Sequence, residues 1–319
     1  MVLSDIQKVQ GINQVLVFAF LMLIGFVMAK AKVMTSDVLS GLSKLIVNLL
    51  LPCLIFYMII GNGITVQHIL ANRNWALAII LMYTILFLLG YAMAGAAGLR
   101  RSGQDMFAVA AMFCNIGFMG VPLIESIFPG NSQVAACLLI YFVVDQLLLW
   151  TVGLFLCTWH AKRRGSASML KNFINPMIVG ITIALVLLYF NIQLPTPLLT
   201  TIKGLGDSSR YLALLYLGAL LATMPILQML VKPYVYVMIV LKMTVVPVIG
   251  YFVASLFFNH VTSLLLATIL SLPPMVATTM MARTYGGDER VAAETVFIST
   301  IACLGTIPLV QFLIAFLLR

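Results

Sequence analysis

Residues able to do chemistry are few in this 319-residue chain, because 63% of it is hydrophobic and only 8% charged. Two stretches nevertheless combine polar side chains with residues that interrupt a helix. The first, Asn115-Ile116-Gly117-Phe118-Met119-Gly120-Val121-Pro122, sets an amide beside two glycines and a proline. The second runs from Pro273 and Pro274 to Thr278 and Thr279. A proline has no backbone N–H, and its ring crowds the carbonyl four residues earlier: Phe118 for Pro122, Ile269 and Leu270 for the pair. Backbone groups freed in this way cannot face lipid and must line a protein-enclosed cavity. Half-helix N-termini at such a place carry partial positive charge and favour an anionic group. The expected chemistry is therefore noncovalent capture of a small anion by Asn115, Gly117, Gly120, Pro122, Pro273, Pro274, Thr278 and Thr279.

Two charged residues lie inside apolar runs, where an ionised side chain is costly. Asp145 reads either as a proton-relay or ion-coupling carboxylate or as the structural partner of Lys242, which could otherwise contact the substrate. Glu125 and Glu294 read as interfacial and solvated, and Asp207, in Gly-Leu-Gly-Asp-Ser-Ser, reads as a helix cap. His68, His160 and His260 fall at the ends of apolar runs without HExxH spacing, and Cys53, Cys114, Cys137, Cys157 and Cys303 form no CxxC pair. No metal, cofactor or disulfide framework is expected. A Walker-type GxxxxGK[ST] run is absent, as is any nucleophile and base pattern, so neither ATP-driven work nor enzymatic activity is expected.

The elements that must position these residues are membrane spans. A span needs about 20 apolar residues, and breaking the chain at charges and turn residues gives ten, with cores near 12–29, 38–60, 75–98, 106–127, 134–158, 172–190, 211–230, 234–257, 262–282 and 291–317. The fourth and ninth hold the two interruptions. The net charge of +9 does not point to nucleic acid, because the basic residues flank the spans. Loops after odd-numbered spans carry Lys30, Lys32, Lys44, Arg100, Arg101, Lys162, Arg163, Arg164, Lys171, Lys232, Arg283 and Arg290, against Lys8, Arg73, Lys203, Arg210 and Arg319 on the other side. The positive-inside rule then puts both termini outside the cytoplasm of a plasma membrane. Shifting the chain by 157 residues lays Val134-Ala135-Ala136 on Val291-Ala292-Ala293 and brings the two interruptions close to register. Five spans per half require the second half to be inverted. The expected fold is an all-α integral membrane protein of ten helices, as two inverted five-helix repeats over 1–160 and 161–319 with helices 4 and 9 broken.

The stretch around Asn115 resembles the crossover motif of the auxin efflux carrier family, through Asn115, Met119, Gly120, Pro122 and Leu123. The likeness continues through Asn48 and Pro52, Gly218, Lys242 and Pro247, Leu272-Pro273-Pro274 and Ala282-Arg283-Thr284-Tyr285. Plant members have Pro where Cys114 stands, Gln where Pro274 stands, and a long hydrophilic central loop that this chain lacks. Bacterial malate or malonate permease-type members are the nearer analogues, which implies the inner membrane of a bacterium. The resemblance implies a scaffold of helices 1, 2, 6 and 7, often a homodimer interface, and a moving unit of helices 3–5 and 8–10 in which helices 4 and 9 cross. It also implies that Asn115 and the half-helix ends around Pro122 and Pro273 hold a substrate carboxylate. The expected function is secondary transport of a small organic anion, a dicarboxylate such as malate or another carboxylate, by alternating access, with Asp145 the candidate for coupling to protons. A sodium-coupled carrier and a receptor that binds without transporting remain the alternatives.

Overall fold

A computed structural model describes residues 5–61, 67, 72–160, 176–223 and 231–318; the side chains of 5–15, Pro122 and Ser126 fall outside that description. His68, Lys162, Arg163, Arg164, Lys171 and the ends of two expected spans, 172–175 and 224–230, also lie outside the described residues. The helices are α1 (Asp5–Lys30), α2 (Ser36–Ile60), α3 (Arg73–Ala96), α4 (Arg101–Met112), α5 (Val121–Ile127), α6 (Ser132–Trp159), α7 (Pro176–Tyr189), α8 (Thr196–Ala222), α9 (Pro233–Ser255), α10 (His260–Ser271), α11 (Ala277–Tyr285) and α12 (Glu289–Leu317). Among the described residues, extended backbone pairs only at one isolated bridge. Helices α2, α3, α6, α9 and α12 are 23 to 29 residues long and apolar enough to cross a bilayer. Shorter apolar segments are Leu16–Lys30, Ile116–Glu125, α7 and α10. These helices make a multi-pass membrane protein.

Local chemistry sets the helix ends. Asn131, Asn259 and Asp288 accept hydrogen bonds from Val134, Thr262 and Val291 and so cap α6, α10 and α12. Gly286 ends α11 in the left-handed conformation, at φ 89°. Helix α3 buries Trp75, Ile79, Met82, Tyr83 and Leu86 while exposing Leu77, Leu81 and Leu88. It is apolar on both faces, as a helix between protein and lipid must be.

Prolines inside spans leave a second signature. Pro52, Pro122 and Pro247 each stand second in an α-helical stretch that follows a five-residue π-helical turn, at Ile46–Leu50, Ile116–Gly120 and Leu241–Val245. At Pro52 and Pro247 the wider turn gives the ring room that a regular α-turn denies it, so the helix continues. The same pattern at Pro122 corrects the expectation for the first interruption, which the sequence placed at Gly117–Pro122. The chain actually leaves the helix at Phe113 (φ −98°, ψ 111°) and resumes at Ile116.

In lipid, helices gain little from apolar contact alone, so association rests on close packing. Helix α1 packs along α8, and α2 packs on α7 and α8; in the other group α3 packs on α4, and α9 on α10. At the α1–α8 contact a Cβ on Gly25 would collide with the Leu215 carbonyl, and one on Gly218 with the Met22 carbonyl. Two charged residues differ from expectation. Asp207 lies within α8, between Lys203 at 3.4 Å and Arg210 at 3.8 Å, and caps nothing. The helix runs through this glycine- and serine-rich stretch because Ser208 and Ser209 bond back to Leu205 and Gly206, and Gly206 lies against the backbone of Leu54. Glu294 is buried rather than solvated, held by Arg290 at 2.8 Å and by the Tyr234 hydroxyl. Glu125 is exposed, as expected.

Candidate functional site

The two interrupted helices meet at their interruptions. Helix α4 ends at Met112 and the chain runs extended through Phe113 and Cys114; α10 ends at Ser271 and the chain runs extended from Leu272 (φ −64°, ψ 148°). The extended pieces pair antiparallel through Cys114 and Pro274. The Asn115 N–H donates to the Pro273 carbonyl at 2.8 Å, and the Met275 N–H to the Phe113 carbonyl at 2.9 Å. Each break thus satisfies backbone groups that the other would leave bare in a dry interior. Both half-helices that leave the crossing, at Ile116 and at Ala277, start without a side-chain cap. Of their first-turn amides, those of Ile116, Thr278 and Thr279 donate to the carbonyls of Cys114, Met275 and Val276, so local turns already use part of the donor set of each N-terminus.

A cavity of about 20 Å³ adjoins this crossing, lined by Asn115, Gly117, Phe118, Phe142, Gln146, Met275 and Ala277, and closed on the α2 side by Leu51, Leu54 and Ile55. That is space for about one water molecule. Asn115 is only 2% exposed, and its Oδ1 has no hydrogen-bond partner. Gly117 lines the cavity, whereas Gly120 packs against Leu272 and so belongs to the contact between the breaks. Thr278 and Thr279 are fully buried, but their hydroxyls donate to the carbonyls of Met275 and Val276 at 2.7 and 2.8 Å, within their own first turn. Pro273 and Pro274 supply the backbone of the crossing, and Pro122 stands second in α5.

Asp145 and Lys242 are both fully buried and both near the crossing, yet among the described residues no ion pair joins them. The Asp145 carboxylate accepts from the Tyr83 hydroxyl and, at 2.8 Å, from Gln146 Nε2. Gln146 in turn lines the cavity, so the carboxylate is one side chain removed from it. Lys242 Nζ donates to the Leu272 carbonyl at 2.5 Å and to Cys114 Sγ at 3.3 Å. The Tyr83 hydroxyl that donates to Asp145 also lies 3.0 Å from the hydroxyl of Tyr141. Tyr83, Tyr141 and Gln146 were not singled out from sequence; a tyrosine in an apolar span reads as packing, and only Gln146, adjacent to Asp145, carried a polar signal.

A family model described as a membrane transport protein matches residues 10–167 and 163–311, nearly the whole chain. The chain belongs to the auxin efflux carrier family. A search of curated proteins found no match.

Two further polar assemblies in this carrier lie away from the crossing. A hollow of about 320 Å³ is lined by Tyr91, Arg101, Gln104, Asp105, Trp159 and His160, among others. Its buried carboxylate, Asp105, is already bonded to Tyr91 at 2.5 Å and His160 at 2.6 Å, and no interrupted backbone reaches it. Arg283, on α11, reaches Glu289 at 2.9 Å and the Ser36 carbonyl of α2 at 3.0 Å, while Tyr216 of α8 donates to Glu289. Ser43 of α2 adds a bond to the Met280 carbonyl at 3.3 Å. These contacts tie the second half-helix to α2 and α8.

Proposed function

We propose that this membrane transporter is a secondary carrier of a small organic anion, a dicarboxylate such as malate, bound at the helix crossing and released to either side by alternating access. The observation that carries the reading is Asn115: a nearly inaccessible amide with an unpartnered oxygen, at the start of one uncapped half-helix and beside a cavity that also adjoins the other. An amide turned about its last bond presents either N–H or oxygen, and uncapped helix starts favour a carboxylate. Small-molecule pockets usually measure about 300–1,000 Å³, so a cavity of about 20 Å³ corresponds to a closed conformation. Opening requires Leu51, Leu54 and Ile55 of α2 to part from the crossing. In this reading α1, α2, α7 and α8 form the scaffold and a homodimer interface, and the remaining helices move against them; the packing of α1 on α8 and of α2 on α7 and α8 supports that division. The ten-helix inverted repeat, with both termini outside the cytoplasm of a bacterial plasma membrane, is the topology that goes with it.

Asp145 serves in this reading as the protonatable group that couples anion movement to a proton gradient, because it contacts the cavity-lining Gln146 and is shielded from solvent. No bond-making chemistry is assigned to the site. The test is a thermal-shift screen of the purified protein against mono- and dicarboxylates at two pH values. Selective stabilisation by one acid supports the reading. A folded sample stabilised by no carboxylate would remove the organic-anion assignment.

A further inference from the structure

The hollow of about 320 Å³ takes no part in the crossing, yet its volume falls in the range of small-molecule pockets, about 300–1,000 Å³. It lies where spans end: α3 stops at Ala96, α4 starts at Arg101 and α6 stops at Trp159. Tyr91, Phe155 and Trp159 supply aromatic walls, the side chains that membrane proteins place at headgroup level. An apolar track leads away from these walls. Leu81, Ile85 and Leu88, each more than half exposed, follow one face of α3 toward Tyr91 at helical spacing. On a spanning helix such a face meets acyl chains.

The polar side of the hollow leaves one charge unmatched. Both oxygens of the buried Asp105 carboxylate are taken, Oδ1 by the Tyr91 hydroxyl and Oδ2 by His160 Nδ1. Gln104 Nε2 donates to the Leu99 carbonyl at 2.8 Å. Arg101, exposed at the first position of α4, makes no ion pair among the described residues. A guanidinium presents paired donors that match a phosphate. With Asp105 occupied, a headgroup that carries its own ammonium finds no free carboxylate here. The second ring nitrogen of His160 is a donor or an acceptor according to tautomer, and a hydroxyl suits either.

We propose that the hollow is a headgroup site for an anionic phospholipid of the phosphatidylglycerol type. Its phosphodiester pairs with Arg101, its hydroxyls reach His160, and its chains leave past Tyr91 along α3. The bound lipid would join the ends of α3, α4 and α6 at one face of the bilayer. This inference stands whether or not the crossing carries an anion.

The test is thermal melting of the purified, delipidated full-length protein in detergent, titrated with dioleoyl phosphatidylglycerol, with dioleoyl phosphatidylcholine or with soluble glycerol 3-phosphate. Wild type is expected to melt higher with phosphatidylglycerol than with phosphatidylcholine, and to be unmoved by glycerol 3-phosphate. Arg101→Gln is expected to melt like wild type without lipid, and to need roughly tenfold more phosphatidylglycerol for the same shift. Lys44→Gln, which removes an exposed lysine of α2 that does not line the hollow, is expected to respond like wild type. Equal stabilisation by the two lipids would overturn the proposal, because any bilayer lipid would then serve. An equal loss in Arg101→Gln and Lys44→Gln would overturn it too, by showing diffuse attraction to basic residues. A full shift with glycerol 3-phosphate would replace the lipid with a soluble phosphate ester. The comparison of lipids on wild type requires no variant to fold.

Discussion

Replacing Asn115 with alanine should separate binding from stability. Its buried Oδ1 makes no hydrogen bond, so deletion removes a desolvation penalty of about 1–3 kcal/mol rather than adding one. Against that, enlarging the cavity of about 20 Å³ by a similar volume costs roughly 0.5 kcal/mol at about 24 cal/mol per Å³. The melting temperature should therefore hold or rise. Binding should move the other way. A hydrogen bond to a carboxylate is worth about 1.5–3 kcal/mol, so the dissociation constant for the stabilising acid should rise roughly 10- to 150-fold. Ligand-dependent thermal shifts, titrated for wild type and Asn115→Ala, read both quantities in one experiment. Unchanged affinity, or a melting drop as large as that of a core truncation, would refute the reasoning.

Other changes test the elements that hold the site. Gly218→Val should force α1 away from α8 and lower stability by about 1–3 kcal/mol, whereas Gly41→Ala, where a new Cβ meets nothing within 4 Å, should leave melting unchanged or slightly raise it. Asp145→Asn should leave binding measurable but make uptake insensitive to an imposed pH gradient, as followed in proteoliposomes. Arg283→Ala removes the ties to Glu289 and Ser36, and hydrogen exchange should then speed up over residues 280–285. Cysteines placed at Lys32 and at Asn191, both exposed, should label with an impermeant maleimide from the cytoplasmic and the outer side respectively. The opposite pattern would reverse the charge-based topology, and labelling of both from one side would break the span count.

Sequence carried the all-helical, membrane-spanning character, because apolar length is a local property. The Pro273–Pro274 pair located the second interruption because two successive missing N–H groups leave a helix no alternative. The first interruption was misplaced by a few residues for a related reason. Pro122 is a single proline, and it stands in a helix behind a π-helical turn; the true break at Phe113–Asn115 depends on bonds to Pro273 and Met275, more than 150 positions away in the chain. Asp207 shows the same limit, since its surroundings favour a cap locally but helix packing against Leu54 keeps the segment helical. Asn115 was legible as a polar residue beside a break. The partners of Asp145 and Lys242 were not, because tyrosine, cysteine and a backbone carbonyl give no pairing signal in one sequence.

The central claim is net movement of an organic anion through the crossing, and the most direct measurement is accumulation of labelled malate in proteoliposomes under an inward proton gradient. The account predicts saturable uptake above the external concentration, with half-saturation moved to higher malate in Asn115→Ala and unchanged when potassium replaces sodium. Saturable binding with no accumulation in sealed vesicles of wild-type protein would contradict it and leave a receptor in its place.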